Sequence, residues 1–361
     1  MRLVVVAWFA LAGCQVNDPL YCGMHPADLV RCPREGCFAV ESLGLVTCDR
    51  TPATTPISIT GALAIDTTTG TSMPAGLECS PLDATSTSAC LLDGSSISIA
   101  AGAKLTATGN RPLVLAASGA IDVAGTIDIA SHAGASGAGA AGQACTGAML
   151  PTGEGGGAGG SFGGAGGDGG DEAGVTGSHG VAAPPITATT LRGGCPGSPG
   201  AAITALANGG GAGGAIALIG ASVTIEGAID ASGAGGGAGH DGGGGGGGAG
   251  GMVVLAATTV TVAAGASVYA NGGHGGGGGT AVMDGAAGTD PDGPTSGGNG
   301  GTGGQSGMGG NGGAGFPSTT RAGVESTQAT AGGGGGGGGA GVIRVIGAKA
   351  PTTAGISPPA T

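Results

Sequence analysis

Nine cysteines, five histidines and scattered carboxylates are the residues of this 361-residue chain with chemistry to offer. Acid–base cleavage of a glycosidic bond needs two or three clustered carboxylates, spaced for a water or a leaving group. Asp128 and Asp230 occupy equivalent positions in two copies of a repeat, so coils of the fold could stack them. His240-Asp241 and the group Asp168-x-x-Asp171-Glu172 carry donors for a cation. Neither has the spacing of a dedicated metal site, and solvated loop residues describe them better. Lyase chemistry would want Arg or Lys beside its substrate. Beyond residue 14 there are two lysines, Lys104 and Lys349, and seven arginines, none grouped in the repeats. No Gly-x-Ser-x-Gly elbow lies in a strand–turn–helix context, and the glycine runs precede no helix that could cradle phosphate. The expectation is therefore a protein without catalytic, cofactor-binding or metal-binding residues.

The cysteines are more informative. Met1 to Cys14 reads MRLVVVAWFALAGC: a positive Arg2, an apolar run from Leu3 to Leu11, then small residues before a cysteine. That run is shorter than the roughly 20 residues a membrane span needs, so residues 1–13 read as a cleaved export signal. Leu11-Ala12-Gly13-Cys14 resembles the bacterial lipobox, which implies lipid attachment to Cys14 and cleavage before it. Several acyl chains, at about 0.8 kcal/mol per buried methylene, would anchor the chain stably to a membrane. Gln15, where an Asp would signal inner-membrane retention, implies the outer membrane or cell surface. Without Cys14, eight cysteines remain, an even number that suits disulfides in an exported protein. Spacing groups Cys22, Cys32, Cys37 and Cys48 in one cluster, Cys79 and Cys90 as a local pair, and Cys145 with Cys195 as a longer bracket. Zinc is the rival for the first cluster, with His25 nearby, but no C-x-x-C is present and export favours oxidation.

Composition excludes several partners. Ten Lys and Arg against 22 Asp and Glu leave no basic patch for phosphates, so no nucleic-acid binding is expected. Only seven aromatic residues occur, too few for the stacking faces of an ordinary carbohydrate-binding module.

The elements that must position these residues are repetitive. Ile97-Ser-Ile-Ala-Ala-Gly102-Ala-Lys-Leu105-Thr-Ala-Thr-Gly109 matches Val260-Thr-Val-Ala-Ala-Gly265-Ala-Ser-Val268-Tyr-Ala-Asn-Gly272 in its apolar residues, alanines and glycines. Further copies begin at Ile57, Ile121 and Val223, and those at Ile97 and Ile121 start 24 residues apart. Each copy is a period-2 strand, a glycine corner and a second period-2 strand. Three are preceded by another short strand, at Leu113–Leu115, Ala215–Ile219 and Met252–Leu255, and Val342–Ile346 reads as a final strand. Such units cannot bury their Ile, Val and Leu alone, but stacked as coils they share a core. The expected fold is all-β: a right-handed parallel β-helix over 57–349, after a Cys-rich segment (14–50) and a Thr/Pro linker (51–56), with 350–361 as a tail. An antiparallel β-sandwich is the alternative, which would need hairpins between alternating strands.

With 92 glycines, the chain also carries long Gly-rich insertions between coils, at about 133–212, 232–250 and 271–341. Within the last, residues 297–314 repeat with a period of three. Two readings stand: flexible loops, because glycine loses most backbone entropy on ordering, or extended polyproline-II-type helices whose bare edges pack closely. The whole resembles glycine-rich lipoproteins of myxobacteria, in which a lipobox and Cys-rich segment precede pectate-lyase-like strand repeats. That resemblance implies the β-helix without an activity. Gly273-His274-Gly275 is similar to the Gly-His-Gly of polygalacturonases, but their companion Asn-Thr-Asp, Asp-Asp and Arg-Ile-Lys signatures are missing. The expected function is a structural or adhesive role in the cell envelope or extracellular matrix, with the membrane and envelope polysaccharide or protein as partners. The alternative is a β-helix lyase or hydrolase of acidic polysaccharide.

Overall fold

The computed structural model describes residues 38–40, 43, 45–47, 53–82, 89–132, 135–140, 145, 147–296, 299–347 and 355–361. The segment expected to be an export signal (1–13), the expected lipid-attachment residue Cys14, and Cys22, Cys32, Cys37 and Cys48 lie outside them.

The protein is all-β, and its strands assemble into three main sheets. Sheet one orders Val342–Ile346, Met252–Ala256, Ala215–Ile219, Leu113–Ala117, Cys90–Gly94 and Ser80–Pro81. Sheet two orders Thr259–Val262, Ser222–Ile225, Ala120–Val123, Ile97–Ile99 and Ile57–Ile59. Sheet three orders Ile356–Ser357, Ser267–Tyr269, Ala228–Asp230, Thr126–Asp128, Lys104–Thr108, Ala62–Asp66 and Thr71–Met73. The chain visits the three sheets in turn, and each pass lays one strand parallel to that of the pass before. Within these three sheets, pairing is antiparallel only where Ser80–Pro81 meets Cys90–Gly94 and Thr71–Met73 meets Ala62–Asp66; two separate two-stranded sheets, Phe38–Val40 with Leu45–Thr47 and Ala202–Ala205 with His240–Gly242, are antiparallel. The hairpins of a sandwich are therefore not the organising element.

The predicted repeats fold as strand, corner and strand, with neighbouring copies in register: Ile99 pairs with Val123, and Val123 with Ile225. At the corners Gly102 and Gly265 have φ of +78° and +90°, a left-handed conformation that costs glycine no steric penalty. Ile97, Ile99, Leu105, Ile121, Ile127, Ile225, Ile229 and Val268 point inward and form one core with Leu115, Leu218 and Leu255 of sheet one. Residues 355–361, expected as a tail, return to the fold: Ile356 pairs with Val268, and Thr361 exchanges hydrogen bonds with Ile343 and Val345. The last strand of sheet one thereby gains a partner along its outer edge.

Sheet one differs from the other two in being buried on both faces. Its outward residues Val114, Ala116, Ala215, Ala217, Met252, Val254 and Ala256 form a second core with Phe162, Ala188, Leu191 and Ala249. These four come from the glycine-rich insertions, which are ordered and lie against the sheet.

The insertions form extended tracts bonded to one another. Gly303 has φ −67° and ψ 148°, the polyproline-II conformation with three residues per turn. That period sends successive peptides to three different neighbours. In tract 242–251 the N–H groups of Gly243, Gly246 and Ala249 donate to tract 195–201. Those of Gly244, Gly247 and Gly250 donate to 333–339, and those of Gly245, Gly248 and Gly251 to 231–237. Its carbonyls accept from 157–160, 210–213 and 273–279, so six tracts surround it. Tracts 270–279 and 332–341 are enclosed by six neighbours in the same way. Backbone polar groups are satisfied without side chains, at N···O distances of 2.7–3.1 Å for the donors of tract 242–251.

Close approach explains why these positions are glycine. A Cβ placed on Gly243, Gly244, Gly245, Gly246, Gly247, Gly248 or Gly250 would fall 1.9–2.1 Å from a neighbouring carbonyl oxygen. None of these glycines has a positive φ, so space and not backbone freedom selects them. Two disulfides brace the assembly: Cys79–Cys90 at one end of sheet one, and Cys145–Cys195, which ties tract 195–201 to the start of the first insertion.

Candidate functional site

The repeat register brings Asp128 and Asp230 side by side, as directly paired residues on adjacent strands of sheet three. The same row continues to Thr106 on one side, and to Tyr269 and Ser357 on the other. The insertion between Asp128 and Ala215 separates the two aspartates in sequence but adds no strand to sheet three, so they lie one pass apart.

Their surroundings make them unequal. Lys104 Nζ lies 2.8 Å from Asp128 Oδ2, and His132 Nε2 lies 3.3 Å from the same carboxylate. His132 Nδ1 in turn reaches Asp290 Oδ2 at 3.1 Å, and Asp290 Oδ1 accepts from the Gly235 N–H at 2.8 Å. Burial works against the charged form of His132, but hydrogen bonds and charge from Asp290 and Asp128 outweigh it and raise its pKa. Asp230 has no cation beside it among the described residues. Its carboxyl is pushed up to about 6, first by burial and also by repulsion from Asp128, while hydrogen bonds from Ser232 and Tyr269 oppose the rise. Burial, followed by the charge of Asp230, pushes the Tyr269 hydroxyl above its ordinary range.

Two neighbouring carboxyls in unlike surroundings are the ingredients of acid–base chemistry. Access is the missing ingredient. Asp128 and Asp230 are 5% and 8% exposed, and the segment that carries Asp290 is tied to Asp128 through His132. Asn271 Nδ2 holds that segment down by donating to the carbonyls of Gly293 and Pro294, and Ser357 Oγ donates to Asn271 Oδ1.

The other sequence candidates are dispersed. His274 is buried within tract 270–279, where its Nδ1 accepts from the Gly315 N–H at 3.0 Å and burial lowers its pKa. It is a structural part of the bundle. Asp168 and Asp171, three residues apart, share one edge of their extended tract; their carboxylates accept from Ala182 and from Gly177 and His179. Burial disfavours the Asp171 carboxylate, but the bonds from His179 and Gly177 outweigh it and bring its pKa down to about 2. His240 bonds to Asp284, away from the sheet-three pair. Three members of the site were not singled out from sequence: His132, Asp290 and Tyr269. Tyr269 carried a usable signal, because Val268-Tyr269 aligns with Ile229-Asp230 in the repeat. Asp290 lies in an insertion and His132 just before one, with no pattern to align.

No protein-family model, curated protein or solved structure matches the chain. Among the described residues no helix is long and apolar enough to cross a membrane.

Proposed function

We propose that this chain is a right-handed parallel β-helix carrying a glycine-helix bundle on one flank, and that it serves as a lipid-anchored structural or adhesive protein of the cell envelope or extracellular matrix. The observation that carries this reading is how the insertions are used. About half of the chain is spent on insertions whose residues cover the outer face of sheet one, and the Asp128–Asp230 pair of sheet three is left only 5% and 8% exposed. A rigid, weakly acidic scaffold needs such a layer, whereas an enzyme needs a groove. The anchor rests on the lipobox-like Leu11-Ala12-Gly13-Cys14 and the apolar run before it. Its test is a Cys14→Ser variant, which should leave the membrane fraction and lose incorporation of labelled fatty acid. Retention of both would sink the anchor.

A second reading, hydrolysis or lysis of acidic polysaccharide, is favoured by the direct pairing of Asp128 with Asp230. Incubation with a panel of acidic polysaccharides decides between the two. Release of reducing or unsaturated ends that disappears in Asp230→Asn would favour the enzyme; no release from any of them favours the scaffold.

A further inference from the structure

His132 joins parts of the chain that are far apart in sequence. Its Nε2 lies 3.3 Å from both carboxylate oxygens of Asp128, at the end of a strand of sheet three. Its Nδ1 lies 3.1 Å from Asp290 Oδ2, 158 residues away in the third insertion. The other oxygen of Asp290 accepts from the Gly235 N–H of the second insertion at 2.8 Å. Because His132 immediately precedes the first insertion, one imidazole and one carboxylate bring all three insertions together beside sheet three. Other bonds on the same segment depend on no titratable group: Gly288 donates to the Gly236 carbonyl, the Thr289 carbonyl accepts from the His274 N–H, and Asn271 Nδ2 donates to Gly293 and Pro294.

The contacts of the ring dictate its charge. A neutral imidazole has one N–H donor and one bare lone pair, whereas imidazolium donates from both nitrogens. With a carboxylate at each nitrogen, only the charged ring satisfies both contacts. Both acids also face another donor, Lys104 Nζ for Asp128 and the Gly235 N–H for Asp290, as acceptors should. His179 and His240 differ, since each contacts a single carboxylate, Asp171 and Asp284, which a neutral ring can also satisfy. Among the described residues, His132 alone has acids on both sides.

We infer that His132 is a pH-operated latch: as imidazolium it fastens the Asp290 segment to sheet three, and on losing its proton it releases that segment while Asn271 keeps it hinged. The charged groups around it are Asp128 and Asp290, which face the ring, Lys104, which shares the Asp128 carboxylate, and Asp230, paired with Asp128 in the sheet. Deprotonation turns a lone pair toward one carboxylate and removes one of the two cations from this group of three acids. Burial disfavours the charged ring, but Asp290 and Asp128 outweigh it and raise its pKa above the ordinary 6.5. The fastening is therefore complete below that value and is lost as pH rises through the raised one. The seam between the insertions and sheet one contains no ionisable side chain and does not respond. The latch rests on neither functional reading of the protein.

The test combines two measurements on the full chain, NMR titration of labelled histidines from about pH 5 to 9 and hydrogen exchange of the Gly235 amide, corrected for its intrinsic rate. The signal missing in His132→Gln identifies the ring. His132 should titrate above its ordinary value, and protection of Gly235 should fall through the same midpoint by about tenfold, the size of one charge-assisted bond. Asp290→Asn should lower the midpoint and abolish the step in protection. Asp230→Asn should keep the step, because that carboxyl titrates near 6. Three outcomes would overturn the latch: a His132 midpoint at or below the ordinary value, protection of Gly235 that is unchanged through the His132 titration, or loss of the step in Asp230→Asn. The first two are read on the wild-type chain and do not depend on any variant folding.

Discussion

The three sheets and the glycine bundle solve the same problem, satisfying a buried backbone, by opposite means. In the sheets, ladder hydrogen bonds run to two neighbours, and inward Ile, Leu and Val supply the apolar burial that stabilises the stack. In the bundle, the three-residue period sends hydrogen bonds to six neighbours, and interior tracts have almost no side chains to bury. Sheet stability is thus distributed over many side chains that can be exchanged for others of similar volume. Bundle stability rests on the absence of a Cβ. The two regions meet where Phe162 and Ala249 of the insertions press on Val114, Ala217 and Val254 of sheet one.

The largest expected effect comes from adding a single methyl group. In Gly246→Ala the new Cβ would lie 1.9 Å from the Ala158 carbonyl oxygen, with backbone on both sides of the contact. Ordinary overpacking costs about 1–3 kcal/mol because side chains can shift. Here only whole tracts can move, so a loss of about 4 kcal/mol or failure to fold is expected. The same change at the sheet corner, Gly61→Ala, meets nothing within 4 Å and should stay within about 0.5 kcal/mol of wild type. Urea unfolding of both variants measures the contrast. Equal, small losses would mean that the bundle is loosely held, and would remove the distinction between the two regions.

The two regions were also unequally legible in the sequence. Strand, corner and strand could be read from period-2 Ile and Val flanking a glycine, because each side chain there has a face to choose. The outer covering of sheet one was written in the same code: Leu113–Ala117, Ala215–Ile219 and Met252–Ala256 are apolar at nearly every position, the pattern of strands buried on both faces. The period of three in residues 297–314 pointed to extended tracts but left order and flexibility equally open. It could not say which tract adjoins which, because one glycine peptide offers any neighbour the same N–H and C=O. Asp128 and Asp230 were legible as equivalents, while the 133–212 insertion concealed that they are immediate neighbours.

Acids in the two regions should titrate in opposite directions. Asp230, in the sheets, has its folded pKa raised to about 6, above an unfolded value near 3.9. It contributes stability that is fully present below about pH 4 and is lost as pH rises through about 6. Asp230→Asn should therefore unfold like wild type at pH 4 and be more stable at pH 7.5, by about 3 kcal/mol given a shift of about two units. A variant less stable than wild type at pH 7.5 would show that the Asp230 carboxylate is compensated by a partner, and would undo the reading that burial destabilises its charged form.

Asp171, at the edge of the bundle, has its folded pKa lowered to about 2 by His179 and by the N–H groups of Gly177 and His179. Its contribution is present above the unfolded value near 3.9 and is lost as pH falls through about 2. The side chain is partly open to water, so screening reduces the effect to about 1 kcal/mol. Asp171→Asn should lower stability at pH 6 by that amount and leave it unchanged near pH 2, as read from chemical unfolding at each pH. Because tract interiors contain few ionisable side chains, pH reaches the bundle mainly through such edge carboxylates. A loss at pH 6 comparable to that of Gly246→Ala would mean that the edge bonds, and not the close backbone contacts, hold the bundle together.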